Sequence, residues 1–513
     1  MGIFPVLFLY FNNISETNLP AIVRSLLFTV GMACVLYILV RLIFRSPEKA
    51  ALISSLFLFL FFSYGHLYDL TQGFQIAGVR IVRHVTLTGL WVVLLAAGIW
   101  GIQRARTNLQ NLNKIVNVIS IVLVGELLLQ IGYYEVHTQG LNNLFSSIFP
   151  PTQTQPDRPA ANVNDRDVYY IIIDSFSRQD VLKNVYHLDD SAFIQDLTNL
   201  GFIVPTCTLS NYDHTALSVT SSLNMNYLDT LGFKLDSTAV KSDSSVFQQS
   251  IKHSLVRSQF ESLGYKTVTF KAINPYIDIT DSNYYYDFFK NSSTLDSLES
   301  LNFQDLLFQS TWLRVVFQLQ VTSPGIYQKI PSQLIKFFDP SANLLQSREY
   351  LTYEQDLYAL DRLENAYTIP DKIFVYAHLF TTHQPLVFNA DGSFRGISPQ
   401  NGKAYADAVA FSEKRMIQVV KTILDKSTPK PIIIIQGDHS YAQGNNRPKI
   451  LNAYYLPDGG GARLYPHITP VNTFRLIFDQ YFGGNYPLLP DKSYTTGRNH
   501  PYLFSPVIPS CVK

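Results

Sequence analysis

VYYIIID (residues 168–174) is aromatic or β-branched until its last residue, and PIIIIQGDHS (residues 431–440) repeats the pattern and ends in Asp438-His439. A strand with one wet face alternates polar and apolar side chains, whereas a run with no alternation is buried on both faces. KTVTF (266–270) and KIFVYAHLF (372–380) read the same way, and helical patterns around residues 191–200 and 404–424 lie between the runs. Strands apolar on both faces, separated by helices, predict an α/β fold with a central, mainly parallel sheet covered by helices on both faces. In such folds ligands sit at the carboxyl ends of the strands. Two of these strands end in acids.

Upstream the composition changes. Of the 513 residues 47% are hydrophobic and only 15% charged, and the apolar surplus is concentrated before residue 135. Uncharged apolar runs at 25–40, 50–67, 85–102 and 115–125, with flanking Arg stems that snorkel, approach the roughly 20 residues a bilayer core requires. Four spanning helices are expected. A further run, 3–11, is too short to span alone and lacks the basic start and small-residue cleavage site of a signal peptide; it leaves a fifth span open. Arg41, Arg45 and Lys49 after one run, and Arg104, Arg106 and Lys114 before the last, mark two cytoplasmic loops by the positive-inside rule, although Arg80 and Arg83 oppose it. The C-terminal part is then extracytoplasmic, in a multi-pass protein of the cell membrane.

The resulting division is a membrane domain at 1–135, a linker at 136–166 containing PPTQTQPDRPAANVNDRD, and an extracytoplasmic domain at 167–513. Net charge is +1 without a Lys/Arg block, so nothing electrostatic points to nucleic acid. Membrane lipid is the implied partner. Three cysteines, Cys34, Cys207 and Cys511, give neither a disulfide framework nor a cysteine zinc site, and a Cys207 to Cys511 bridge stays open without support. Glu126 lies inside the last apolar run, where an acid marks either a functional contact or helix packing. The aromatic stretch 301–319 has helical spacing and suits core packing or a position against the membrane surface.

Asp174 and the pair Asp438 and His439 place metal-competent side chains at strand ends, where a dication is held. Taken singly, a strand-ending Asp is more often a helix cap or turn former. A third stretch, NYDHTALSVTSS (211–222), puts Thr215 ahead of a short helical pattern. A helix N-terminus faces anions, so the Thr215 hydroxyl is either an N-cap or a nucleophile toward phosphorus.

Together these motifs resemble the alkaline phosphatase superfamily, in particular its sulfatase-like membrane branch of lipoteichoic acid synthases and phosphoethanolamine transferases. The family's strand-ending acidic ligand corresponds to Asp174, its nucleophilic Thr in a T-A-x-S-V context to Thr215, its late Asp-His pair to Asp438 and His439, and a substrate-binding loop His to His383 in TTHQP. The resemblance implies one divalent metal ion (Zn, Mn, Mg or Ca) held by Asp174, Thr215, Asp438 and His439, with Thr215 as catalytic nucleophile and a covalent phospho-threonine. His383 and Arg447 are the expected substrate-binding residues. True sulfatases carry C/S-x-P-S-R where this chain has TALSV, so sulfate-ester hydrolysis is disfavoured. Sulfatases also have two adjacent Asp after the first strand, and the transferases usually a Glu; here Asp174 is followed by Ser175. Only His439, His467 and His500 follow Asp438, which favours one metal over two.

The expected function is transfer or hydrolysis of a phospho-headgroup on a phospholipid or cell-envelope glycan. A phosphodiesterase or pyrophosphatase-type hydrolase is the alternative in the same chemistry. A catalytically silent membrane scaffold of the same fold is the alternative outside it. His214, beside the nucleophile, and His378, inside a strand, read as structural.

Overall fold

The computed structural model describes residues 2–14, 17, 19–71, 75–76, 79–80, 84–105, 109–135, 165–239, 242–289, 298–315, 348–396, 400–497 and 500–507. The chain divides into two compact units, residues 1–148 with 292–347, and residues 149–291 with 348–513. The expected linker lies outside the described residues, save its last two.

In the first unit a short helix α1 (Phe4–Asn12) is followed by α2 (Val23–Phe44), α3 (Pro47–Thr71), α4 (His84–Arg104) and α5 (Leu109–Glu135). The last four, α2 counted with its preceding turn from Leu19, are long and apolar enough to cross a membrane, with mean hydropathy between 1.7 and 2.4. Nine residues of α1 rise only about 14 Å, too little to span. Leu298–Ser310 is also helical and belongs to this unit. Its Phe303 and Leu307 are buried among Val6, Tyr10, Leu58, Phe62 and Leu127. The helical part of the aromatic stretch is therefore buried by the apolar helices at Phe303 and Leu307, and residues 316–319 of it lie outside the described residues. Glu126 is exposed and accepts a hydrogen bond from Gln130 Nε2 at 3.1 Å.

The second unit is built on a six-stranded sheet. Its strands are β1 (Val168–Ile173), β2 (Lys266–Phe270), β3 (Tyr284–Tyr286), β4 (Ile373–Leu379), β5 (Ile432–Gln436) and β6 (Asn452–Tyr455), in the order β3-β2-β4-β1-β5-β6. All neighbours are parallel except β5 and β6. β1 is central, and its side chains divide by parity: Val168, Tyr170 and Ile172 enter one buried cluster, and Tyr169, Ile171 and Ile173 the other. That is the unalternating run accounted for, one core on each face. Helices α6 (Thr215–Leu223) and α9 (Pro470–Tyr481) cover the first face, and α7 (Arg348–Glu364) and α8 (Gly402–Lys426) the second.

A chain of hydrogen bonds links four polar side chains inside this core. Tyr170 Oη donates to Gln436 Oε1 at 2.7 Å, Gln436 Nε2 to Asn452 Oδ1 at 3.0 Å, and Asn452 Nδ2 to Tyr454 Oη at 2.8 Å. Each bond satisfies a group whose burial alone is costly. A hairpin of β7 (Tyr494–Gly497) and β8 (His500–Pro506) closes the described chain. Cys34 is free and Cys207 is disulfide-bonded; Cys511 lies outside the described residues.

Candidate metal and phosphoryl site

The carboxyl ends of β1 and β5, neighbours in the sheet, deliver the two acids. Asp174 N–H still bonds Leu379 O on β4 at 2.9 Å. The next residue, Ser175, adopts φ +66, a left-handed conformation unusual for a residue with a Cβ. This turn points Ser175 N–H at Asp438 Oδ1, at 3.0 Å. The β5 end comes close because Gly437 has no side chain: a Cβ there would lie 2.5 Å from Phe176 O. Asp438 Oδ1 also accepts the His439 N–H at 2.9 Å, which fixes the carboxylate and leaves Oδ2 buried without a hydrogen-bond partner.

Thr215 arrives from the other direction, as the first residue of α6, a helix buried along its whole length. The extended residue before that helix is His214, which makes no capping bond. Thr215 Oγ1 instead lies 3.1 Å from His439 Nε2. The same nitrogen is 3.5 Å from Asp438 Oδ2 and 4.0 Å from Asp174 Oδ1. Ligands on a tetrahedral cation at about 2.1 Å are separated by about 3.4 Å, so these spacings suit a small dication. An unpartnered buried carboxylate oxygen aimed into the cluster is the kind of atom such an ion satisfies. The residues present fit the group.

His378, whose place inside a strand marks it as structural, lies in this cluster. His378, on β4, has Nε2 3.1 Å from Asp174 Oδ2 and Nδ1 3.2 Å from Tyr376 Oη. Ligand atoms of Asp174, His378 and Asp438 all lie within 4.8 Å of one another. No pattern signals it: a histidine in a buried strand looks like packing until its partner, 204 positions away, is placed.

Burial opposes ionisation of Asp174, but the fields of His383, His439 and His378 and the His378 hydrogen bond prevail, holding the carboxyl well below the usual carboxylate range. Burial first, then Arg447, pushes the His439 imidazole down to about 4, so it is neutral and able to ligate. Behind the cluster Asp356 is buried, and burial raises its carboxyl to about 8. Its Oδ1 accepts the Phe380 N–H at 3.3 Å and its Oδ2 has no partner.

Arg447 Nε donates to Asp213 O at 3.0 Å, and Nη2 lies 3.5 Å from His439 Nε2. His383 has a buried, unpartnered Nδ1. Both line a cavity of about 410 Å³ that opens beside Ser175 and His439. His214 turns away, with Nδ1 2.9 Å from Asp213 Oδ1. His467 packs edge-on against Tyr465.

No family model and no curated protein matches this chain. It is similar to several solved structures. One is the C-terminal periplasmic domain of EptC from Escherichia coli in complex with Zn (9% identity, 68% of this chain and 95% of that chain, TM-score 0.42). Another is the lipoteichoic acid synthase LtaP from Listeria monocytogenes (14% identity, 69% and 82%, TM-score 0.36). A third is the integral membrane protein lipooligosaccharide phosphoethanolamine transferase A (EptA) from Neisseria meningitidis (10% identity, 94% of each chain, TM-score 0.37). At these identities the functional reading rests on the geometry of the site.

Proposed function

We propose that this chain is a membrane-anchored, metal-dependent enzyme that transfers or hydrolyses phospho-headgroups of phosphoethanolamine or phosphoglycerol type, with Thr215 as nucleophile. The observation that carries the reading is the convergence of Thr215, Asp174, Asp438 and His439, drawn from three separate segments, with His439 Nε2 at 3.1 to 4.0 Å from the other three ligand atoms. A silent scaffold has no use for an unpartnered buried carboxylate oxygen at that point.

A bound dication would be held by these four side chains and would supply Lewis-acid stabilisation of a deprotonated hydroxyl at neutral pH. Thr215 Oγ, its proton released to solvent, forms the new bond to phosphorus while the bond from phosphorus to the departing alcohol breaks. His383, facing the cavity, gives a proton to that leaving oxygen. Arg447 and the N-terminal N–H groups of α6 face the phosphoryl oxygens and stabilise their charge. An acceptor hydroxyl or water, passing its proton back to His383, then forms a bond to phosphorus as the Thr215 Oγ–P bond breaks, and the threonine oxygen takes a proton from solvent.

The catalytic domain is read as extracytoplasmic and the four apolar helices as membrane spans. Support comes from the basic loops at Arg41 to Lys49 and Arg104 to Lys114 and from the disulfide at Cys207, a bond that persists in oxidising compartments. The substrates this location offers are membrane phospholipids and envelope glycans.

The deciding experiment is hydrolysis of bis(4-nitrophenyl) phosphate by the purified full chain in Mn²⁺ or Zn²⁺. Thr215→Ala is expected to lower kcat by at least about a thousandfold, and intact mass after quenching is expected to show a phospho-adduct on the wild type alone. Equal turnover by Thr215→Ala would end the nucleophile assignment, and no turnover by wild type in any divalent metal would favour the scaffold.

A further inference from the structure

The cavity in front of the cluster has a second wall that the phosphoryl chemistry does not use. Tyr186 and Tyr441 stand edge to face at 6.1 Å between ring centroids, and both pack on Tyr405, at 4.6 and 4.4 Å. Tyr405 is fully buried, and its hydroxyl donates to Ser175 O at 2.8 Å while accepting the Ser177 N–H at 3.0 Å. The aromatic wall is thereby keyed to the chain that carries Asp174. Gln384 Nε2 donates to Tyr441 Oη at 2.7 Å, so the tyrosine's own proton remains to donate to a ligand. The exposed amide of Gln443 lies on the same rim.

The permanent charge on this wall is the Arg447 guanidinium. Arg447 and His383 line the cavity, and among the described residues no Asp or Glu does. Asp174 and Asp438 lie behind it, engaged with Ser175, His378 and His439. An alkylammonium group here would meet the guanidinium without a carboxylate to offset it. Tyrosine faces attract cations only weakly, less than a full like charge at similar range repels them. Aromatic faces with amide and hydroxyl groups suit an uncharged polyol instead: the rings cover its C–H faces and the polar groups meet its hydroxyls.

Resting on the proposed catalytic reading, we infer that the group esterified to the reacting phosphate is an uncharged polyol such as glycerol, not ethanolamine or another alkylammonium. Tyr186, Tyr441 and Gln384 form its subsite and set the specificity.

The test uses the full chain in detergent with Mn²⁺ and three diesters sharing a 4-nitrophenyl leaving group, carrying glycerol, ethanolamine or choline, with bis(4-nitrophenyl) phosphate as control. The glycerol diester is expected to show kcat/KM about tenfold or more above both ammonium diesters. Gln384→Glu, an exposed change that places a carboxylate on the wall, is expected to move the glycerol-to-choline ratio about tenfold toward choline. Fluorescent phosphatidylglycerol and phosphatidylethanolamine in mixed micelles repeat the comparison with a lipid-borne group, and the same order is expected. Equal or better use of the ammonium diesters, the reverse order in micelles, or a ratio unmoved by Gln384→Glu overturns the inference while control turnover leaves the catalytic reading standing. Absence of turnover on all four soluble diesters overturns both.

Discussion

At the scale of single residues, Thr215 Oγ1 lies 3.1 Å from His439 Nε2 and His378 Nε2 3.1 Å from Asp174 Oδ2. A threonine before a short apolar helix has two readings, and only placement separates them. Here His214 occupies the cap position and Thr215 Oγ1 reaches His439. Asp174, Asp438 and His439 were legible because each ends a strand in a sheet whose strands are legible. His378 was not, since its role exists only once β4 lies against β1. If Asp174 ligates as proposed, its contact with His378 makes His378 an orienting partner of that ligand, a kind of residue whose loss weakens metal binding without abolishing the fold. His378→Asn is therefore expected to raise the metal Kd about 10- to 100-fold, read by titrating Mn²⁺ or Zn²⁺ into the metal-free chain by calorimetry. An unchanged Kd would reduce His378 to packing.

At the scale of elements, the site depends on a segment that no strand or helix pattern marks. The loop at 209–214, which hands Thr215 to α6, is held by the C-terminal hairpin. Tyr494 N–H bonds Asn211 O at 3.0 Å, Ser493 Oγ donates to Ser210 O at 2.7 Å, and Tyr212 stacks on Tyr494 at 5.6 Å. Asp213 Oδ2 accepts the Thr496 N–H at 2.9 Å and Oδ1 the Thr496 hydroxyl at 3.1 Å. These pairings join residues some 280 positions apart, so no local period reveals them. Thr496→Val keeps the shape and removes the hydroxyl donor. It is expected to lower kcat roughly five- to tenfold with KM unchanged, through looser placement of the proposed nucleophile, while Thr496→Ser retains activity. A rise in KM with kcat intact would assign Thr496 to substrate binding instead.

The helices on the opposite face carry a separate pH dependence. Glu413, on α8, is half-buried with Oε1 sealed and unpartnered. Burial, reinforced by nearby Asp190, raises its carboxyl from 4.5 to about 8. A carboxyl raised on folding favours the native state fully below its unfolded pKa, and that contribution is lost as pH rises through the folded value. Glu413→Gln is therefore expected to leave Tm unchanged near pH 4.5 and to raise it above pH 8, measured by thermal unfolding across that range. A wild-type Tm advantage at pH 8 would show that the ionised side chain is stabilising.

At the scale of the whole molecule, the sequence made the four apolar helices and the α/β sheet plain, because both are written in continuous local runs, of 11 to 18 residues for the helices and fewer for the strands. It did not disclose that the chain leaves the second unit after Asn291 and re-enters it at Arg348. An apolar helical face announces that it will be buried, not against what. Phe303 and Leu307 suit a soluble core equally well, yet they pack among Val6, Leu58 and Leu127. Within that first unit the packing has a specific requirement. Gly65 on α3 sits so close to the Leu298–Ser310 helix that a Cβ would fall 2.3 Å from Gln309 O and 2.5 Å from Ser310 C. These are backbone atoms, which cannot rotate away. The contact continues with Trp312 N–H to Phe61 O at 3.0 Å and Arg314 Nη1 to Asp69 Oδ1 at 2.7 Å. Gly65→Val is expected to force the two helices apart and lower Tm of the detergent-solubilised chain by several degrees, a loss of about 1 to 3 kcal/mol typical of overpacking. Gly89→Ala on α4, where nothing lies within 4 Å of the added carbon, is the matched control and should leave Tm unchanged or slightly higher. If Gly65→Val and Gly89→Ala melt together at the wild-type temperature, the helix at 298–310 does not dock on α3 at Gly65, and the apolar face of Phe303 and Leu307 must be covered by something else.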